Sequence, residues 1–385
     1  MTAPPQGAVL TEHQQEIAEL QRTRGRSGLD EAERDLLAML HDGVLGEDEE
    51  DTVTRLLTRP FSRRLTIPEY YQYTCLHAYG WFLGQYPEDP VGGALLTVHA
   101  TLADLAALER DRWTDADRPD YCVERIKGLD EVLASLREIP VDQIAHINVG
   151  DLVDRAEADP VLRHRLALLV EATRFPRSDR HEEHIFLRSV QACEVLFFLI
   201  RRLAVEVTAT RQEFPGRAAG RLAQAEDCAR LLNEIFEVLR TLSPDLFMSF
   251  RDATGAASAV QSLNFHAMDI AVYGYDPRKF EVFESIGHLA ALNDSDVQDH
   301  HSLSAALAQT SDAALEQGWK RLDRALAKWR GGHYRFARTY LDSGTKGSGD
   351  TEGAAYVKKF MKKDVCLVGT NPFGGLPLLS GFLFC

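Results

Sequence analysis

Three observations predict an all-α fold for this chain. Apolar residues recur at steps of three and four through one stretch after another, strand-like alternation is nearly absent, and turn-forming punctuation separates the periodic runs. Helical periodicity or composition marks residues 32–42, 50–58, 68–85, 93–113, 122–138, 161–173, 183–208, 217–241, 258–272, 278–290, 303–309 and 312–341. The clearest run is 217–241, where Leu222, Ala225, Ala229, Leu232, Phe236 and Leu239 share one face and Arg, Glu and Asp fill the other. Breaks rich in Pro, Asp and Arg at 86–90, 113–119 and 175–177 divide helices rather than independent units.

Composition shifts suggest four regions. Residues 1–30 are polar and rich in Gly, Arg and Gln, a composition expected of disorder. Residues 31–175 read as an accessory helical region and 176–357 as a core, with a soft boundary near 140–180. From Lys358 a basic KKFMKKD gives way to the apolar, Gly/Pro-rich VCLVGTNPFGGLPLLSGFLFC, and this 358–385 tail is expected to pack on its own or a neighbouring subunit.

The 385 residues are 45% hydrophobic and 26% charged, which is ordinary for a soluble globular protein with a sizeable core. A formal charge of -15, with no large Lys/Arg cluster to offset it, repels phosphate backbones and anionic lipid, so neither nucleic acid nor a membrane surface is an expected partner. The opening MTAPPQGAVLTEHQQ lacks the features of a signal peptide, and no stretch reads as a membrane span of ~18 apolar residues, so a cytoplasmic location is expected. Cys75, Cys122, Cys193, Cys228, Cys366 and Cys385 form no CxxC pair and are expected to be reduced thiols, mostly in cores.

In the last predicted helix, Leu315, Trp319, Leu322, Leu326, Trp329, His333, Phe336 and Tyr340 form one apolar stripe with a single imidazole in it. A histidine so placed is most often a core residue whose nitrogens find backbone partners; otherwise it is a ligand. Gly331 and Gly332 precede it directly. Each glycine costs a helix about 1 kcal/mol relative to Ala, which points either to close approach of a bulky partner or to a helix break at Gly331. Zinc or di-iron chemistry is poorly supported: no histidine has Glu three residues before it, HEEH at 181–184 is not HExxH, and Asp299, His300 and His301 read as an exposed loop.

Two further segments bear on His333. HEEHIFLRSVQACEVLFFLIRR runs from His181, and LFMSFRDATGAASAVQSLNF from Leu246; WRGGHYRFARTYLDSGTKGSGDTEGAAYV, from Trp329, contains the histidine itself. In this order the three resemble the signature segments of the tryptophan 2,3-dioxygenase superfamily of heme-dependent aromatic oxygenases. The resemblance covers residues 181–357 and implies a helical bundle of that type with an additional N-terminal helical region. It also implies a heme b cofactor, O2 as co-substrate, a small aromatic amino acid or derivative as substrate, and a homo-oligomer, dimer or tetramer. No CxxCH occurs, so covalent attachment of the heme is not indicated.

By the same resemblance His333 is the axial ligand of the heme iron, with Trp329 beside the cofactor. Arg251 matches the arginine that grips the substrate α-carboxylate, a task suited to the two parallel hydrogen bonds of a guanidinium; taken alone, Arg251 and Asp252 read as a surface ion pair. Phe247 joins Arg251 in substrate binding, Ser258 falls near heme and substrate, and Phe186 stacks beside the bound ring. Gly255, Ala256 and Ala257 keep the loop before Ser258 thin, although Ala256 and Ala259 replace the family's proline and glycine. Thr345 or Ser348, in a glycine-rich stretch similar to a mobile substrate-covering loop, would meet the amino group; the alternative is a plain flexible linker.

Two departures matter. Four residues after Phe186 the family's tryptophan dioxygenases carry a histidine that meets the indole N–H, whereas this chain has Val190, which neither donates nor accepts a hydrogen bond. His184 and Ser189 fall on other helix faces and are poor substitutes. The expected reaction therefore spans indole 2,3-dioxygenation and monooxygenation, on tryptophan or a ring-modified or N-substituted relative, in specialised biosynthesis. A non-catalytic heme- or ligand-binding protein of the same fold and a helical non-heme metalloprotein are the alternatives. The second departure is the family's YxxYL segment, which caps a neighbour's pocket. The stretch compared with it here, INVGDLVDRA, has no tyrosine, so closure is expected from the front region or the tail.

Overall fold

The computed structural model of the chain describes residues 9–384 except 45, 47, 115–116, 143–145, 309, 342–352, 364–370, 372–374 and 376–380. It is all-α. Helices α1 (Glu12–Arg24), α2 (Glu31–Gly43) and α3 (Glu49–Thr58) each start on a side chain, Thr11, Asp30 or Asp48, that accepts an orphan N–H of the first turn. Helix α1 occupies much of the stretch whose composition suggested disorder. Ile17 and Ala18 are buried, and Gln14 and Gln21 donate to the carbonyls of Glu50 and Leu57, both at 3.1 Å, so polar residues are accommodated without loss of hydrogen bonds.

The run predicted at 68–85 breaks at Cys75, whose φ of +53° ends α4 (Glu69–Thr74) and turns the chain into α5 (Leu76–Gly84). Helix α6 (Pro90–Arg112) is long and apolar enough to cross a membrane, an apolar length the sequence reading passed over, but 78% of its most apolar window is buried inside the protein. Next come α7 (Asp120–Arg137), an antiparallel pair β1 (Pro140–Asp142) and β2 (Ile147–Asn148), α8 (Val149–Ala158) and α9 (Pro160–Thr173).

The long helices α10 (Glu183–Thr210) and α11 (Pro215–Leu239) follow, then α12 (Pro244–Arg251) and α13 (Leu263–Tyr273). The predicted 258–272 run opens as a 3-10 turn, and α13 begins only where Ser262 caps it. Short α14 (Phe280–Ser285), α15 (Ser295–Gln298) and α16 (Leu303–Leu307) lead to α17 (Ala313–Tyr340), and α18 (Ala354–Lys359) follows. Helix α17 runs unbroken through Gly331 and Gly332, so these residues are not a helix break. His300, expected in an exposed loop, is buried beside a backbone bridge to Asn371.

Helix α10 packs against α6, α11 and α13, and α11 in turn against α7 and α17. The α11–α17 approach is close: a Cβ at Gly318 would stand 2.8 Å from Leu222 Cδ2. One continuous cluster of buried apolar side chains runs from Leu10 to Trp329, so the front helices share a core with residues 176–357. The described thiols Cys75, Cys122, Cys193 and Cys228 are free and buried, while Cys366 and Cys385 lie outside the described residues.

A fully buried ion pair crosses this core, Arg125 Nη1 donating to Glu109 Oε1 at 2.8 Å, with Arg125 Nε donating to Thr241 Oγ1. Truncation of one partner strands the other charge away from water. Glu109→Ala is expected to destabilise the fold by about 3–5 kcal/mol, read as a lowered midpoint in thermal unfolding, whereas truncating the exposed partner of Lys127, Glu131→Ala, should leave the midpoint nearly unchanged.

Candidate functional site

A cavity opens between α10, α12 and α17. It offers about 260 Å³ to the centres of water-sized bodies, within about 1450 Å³ of space free of protein atoms that includes its mouth. Its lining is mainly apolar and aromatic, as in ligand sites generally. On α10, Phe186 and Val190 are one turn apart and both border it. Phe247 of α12 packs its ring 5.5 Å from Phe186 and 5.6 Å from Tyr340, closing one side. Trp329 forms another side, 5.3 Å from Phe197 and 5.8 Å from Phe236 between ring centroids.

His333 borders the same cavity, one turn beyond Trp329, with ring centroids 5.6 Å apart. The imidazole is half-buried on the cavity-facing side of α17, whose opposite face is exposed, and burial lowers its pKa to about 4. It is therefore neutral at pH 7. Among the described residues it makes ring contacts with Trp329 and Phe236 but no hydrogen bond, so a core histidine satisfied by the backbone does not describe it. Among the described residues Trp329 Nε1 and the hydroxyl of Tyr356 are likewise buried at the cavity without a hydrogen-bond partner.

Arg251 ends α12 and contributes the guanidinium of the lining. The loop that follows is held from outside. Glu69 of α4 accepts from Ala256 N at 2.9 Å, and Arg177 donates to Thr254 O at 3.0 Å. Gly255 sits at φ +61°, and a Cβ there would stand 3.0 Å from both Arg177 and Glu69, so this turn requires glycine. Ser258 follows at the cavity, its Oγ accepting from Val260 N at 3.4 Å. Thr345 and Ser348 lie outside the described residues; the chain returns at α18, where Tyr356 and Val357 border the cavity.

Phe186, Val190, Phe247, Arg251, Ser258, Trp329 and His333 thus border a single cavity. Ser189, expected on another face of α10, also borders it, because the cavity is broad enough to span more than one face; His184 does not. Sequence reasoning missed Tyr70 and Tyr73 of α4 and Glu194 of α10. The signal for the tyrosines is a Tyr-x-x-Tyr spacing at 70–73, whereas no residue of INVGDLVDRA at 147–156 borders the cavity. Glu194 is fully buried and accepts from Tyr70 Oη at 2.7 Å, Ser262 Oγ at 2.5 Å and Asn264 Nδ2 at 3.0 Å. Burial raises its pKa against the lowering effect of these donors.

The donor set fits a heme. A five-coordinate heme needs one neutral imidazole on a largely apolar wall, which His333 provides, and the buried donors Trp329 Nε1 and Tyr356 Oη, without partners among the described residues, suit acidic substituents. Among the described residues nothing beyond the helix's own backbone and the glycines' chain neighbours lies within 4 Å of where a Cβ on Gly331 or Gly332 would stand, so packing against these residues does not impose the glycines. Among the described residues no three His, Cys, Asp or Glu side chains converge as a metal-binding group would require.

No family model matches the chain. It is similar to a tryptophan 2,3-dioxygenase of a Nocardioides species, 28% identical over 232 residues that make up 50% of this chain and 85% of that one. A tryptophan 2,3-dioxygenase of Ruegeria pomeroyi is 23% identical over 249 residues, 52% of this chain and 87% of that protein. One from Xanthomonas oryzae pv. oryzae is 26% identical over 164 residues, 37% of this chain and about half, 55%, of that protein.

Burial lowers the pKa of His77 and His184 to about 3 and of His99 and His333 to about 4, from 6.5. A depressed histidine contributes its full stability above 6.5 and loses it as pH falls toward the folded value, because the unfolded chain binds the proton more readily. The ligand-free protein is expected to melt at progressively lower temperature between about pH 6.5 and 4. His333→Leu should flatten that dependence in calorimetry without abolishing it.

Proposed function

We propose, on the premise that the chain is a divergent relative of the tryptophan 2,3-dioxygenase superfamily, that it is a heme-dependent oxygenase acting on tryptophan or a related aromatic amino acid. The observation that carries this reading is a neutral imidazole, His333, with no hydrogen bond among the described residues, bordering an aromatic cavity that Arg251 also borders. A carrier of heme alone needs no guanidinium in the same space.

In this reading His333 holds the heme and Trp329 packs against it. The bound heme supplies the dioxygen chemistry. Arg251 binds the substrate carboxylate through paired N–H donors, a stronger interaction here than in water because the surroundings are apolar. Phe186 and Phe247 wall the ring and fix its plane. Ser258, at the end of the glycine turn, stands near the reacting edge, and Thr345 or Ser348 receives the amino group. These residues act by positioning and by excluding water rather than by moving protons.

Val190 sets the preference among substrates. A ring N–H facing it loses its hydrogen bond with water and gains none, so an N-substituted or ring-modified substrate suffers no penalty that an unsubstituted indole does. The same absence of a base allows a monooxygenated as well as a dioxygenated product. The additional front and tail segments support a role in specialised biosynthesis.

Reconstitution with hemin tests the reading. A Soret band is expected in the parent protein and is lost in His333→Ala, whose far-UV circular dichroism should be unchanged; a colourless parent would end the proposal. Arg251→Ala should keep its heme and lose about 2–4 kcal/mol of transition-state binding, or roughly 30- to 1,000-fold in kcat/KM, chiefly through KM. Val190→His is expected to raise kcat/KM for an unsubstituted indole about 3- to 10-fold over its N-methyl analogue, measured by competition between the two.

A further inference from the structure

Behind the cavity the polar wall continues into a site that the proposed reaction does not use. Asn264, two residues after the Ser262 cap of α13, is fully buried. Its Nδ2 donates to Glu194 Oε2 at 3.0 Å and to Leu383 O at 2.9 Å. Its Oδ1 accepts from Leu383 N at 3.2 Å and from Arg201 Nη1 at 3.3 Å. Two donors and two acceptors fix which end of the carboxamide is which, and they exhaust its hydrogen-bonding capacity.

Half of that capacity is spent on the backbone of one residue far along the chain. The segment around it is docked by its side chains as well. Phe382 stands edge-on to Phe198 at 5.5 Å, and Phe384 lies against Gly80, where a Cβ would come within 2.2 Å of its ring. Arg201, fully buried and without a carboxylate within ion-pair distance among the described residues, donates to Gly381 O. Loss of the segment would leave Asn264 with two unmade bonds and Arg201 without its carbonyl, all inside the protein.

We propose that Asn264 is a positioning residue that couples the docking of residues 381–384, which stand behind the cavity and do not line it, to the order of the cavity wall. One edge of its carboxamide holds Leu383, and the same nitrogen holds Glu194, which in turn fixes Tyr70 of α4 and Ser262 at the start of α13. Docking of the segment and the placement of Tyr70 and Ser262 at the cavity are then one cooperative event. The inference concerns the wall alone and holds whatever occupies the cavity.

Amide hydrogen exchange on the full chain, without hemin or substrate, tests this. The reporters are Leu383 N–H on Asn264, Leu263 N–H on Tyr71 Oη at 3.0 Å and Phe265 N–H on Ser262 Oγ at 3.0 Å. In the parent protein all three are expected to be protected and to open together, with exchange responding alike to low denaturant. Phe382→Ala combined with Phe384→Ala, which touches none of the polar groups, should speed all three at least tenfold and leave amides of α2 unchanged; Asn264→Asp should do the same. A Leu383 amide that is unprotected in the parent protein overturns the docking, and release of Leu383 with Leu263 and Phe265 unchanged overturns the coupling. If a variant does not fold, the parent decides: a shared opening supports the proposal, and separate openings refute it.

Discussion

Helix α10 is buried along nearly its whole length and yet carries Glu183, Arg188, Gln191, Glu194 and Arg201, none of which reaches water. A buried polar group without a partner costs more than a net hydrogen bond returns, so the neighbours of this helix are obliged to supply partners. Glu183 accepts the backbone N–H groups of Arg177 and Ser178 and shapes the turn before the helix. Arg188 meets Asp104 of α6 at 2.5 Å and Thr173 of α9 at 2.7 Å, and Gln191 donates to the carbonyls of Thr74 and Thr173. Glu194 and Arg201 bring in α4, α13 and residues 381–384. The packing order of the fold follows from satisfying one helix.

This constraint also explains what the sequence conveyed and what it withheld. The long helices were legible because their apolar stripes are driven by a single buried face: the 217–241 and 312–341 runs match α11 and α17 to within a few residues. Boundaries set by a single backbone angle were not, since nothing in the composition of 68–85 announces a left-handed Cys75. Helices α1, α8 and α12 were missed because they are short or polar and depend on caps and tertiary hydrogen bonds for stability. At the cavity, His333 stood out through its own apolar stripe, whereas Phe186 and Arg251 were reached only through the resemblance of their segments. Glu194 could not, because it looks like one more polar residue until Tyr70, Ser262 and Asn264 converge on it from three distant parts of the chain.

The cavity pairs an apolar wall with very few charges. Burial keeps His333 neutral, and the same apolar surroundings would strengthen any charge-assisted hydrogen bond made by Arg251, as the proposed function requires. Val190 is consistent with this arrangement. A histidine there would add another polar group beside Phe186, Phe197 and Phe247, and would need its own partner.

The front region contributes directly to the cavity wall. Helix α4 belongs to the front of the chain, yet Tyr70 and Tyr73 border the cavity, Glu69 holds the backbone at Ala256, and Tyr70 shares Glu194 with the start of α13. The turn at Cys75 is what allows this: a helix continuing straight from 68 to 85 could not both present tyrosines to the cavity and send His77 to the carbonyl of Leu56 at 2.9 Å. The left-handed residue therefore divides one run into a piece that faces the cavity and a piece that binds the front helices. Both pieces are pinned by buried hydrogen bonds, Tyr70 to Glu194 and His77 to the carbonyl of Leu56, so α4 is held by the same carboxylate that holds Ser262.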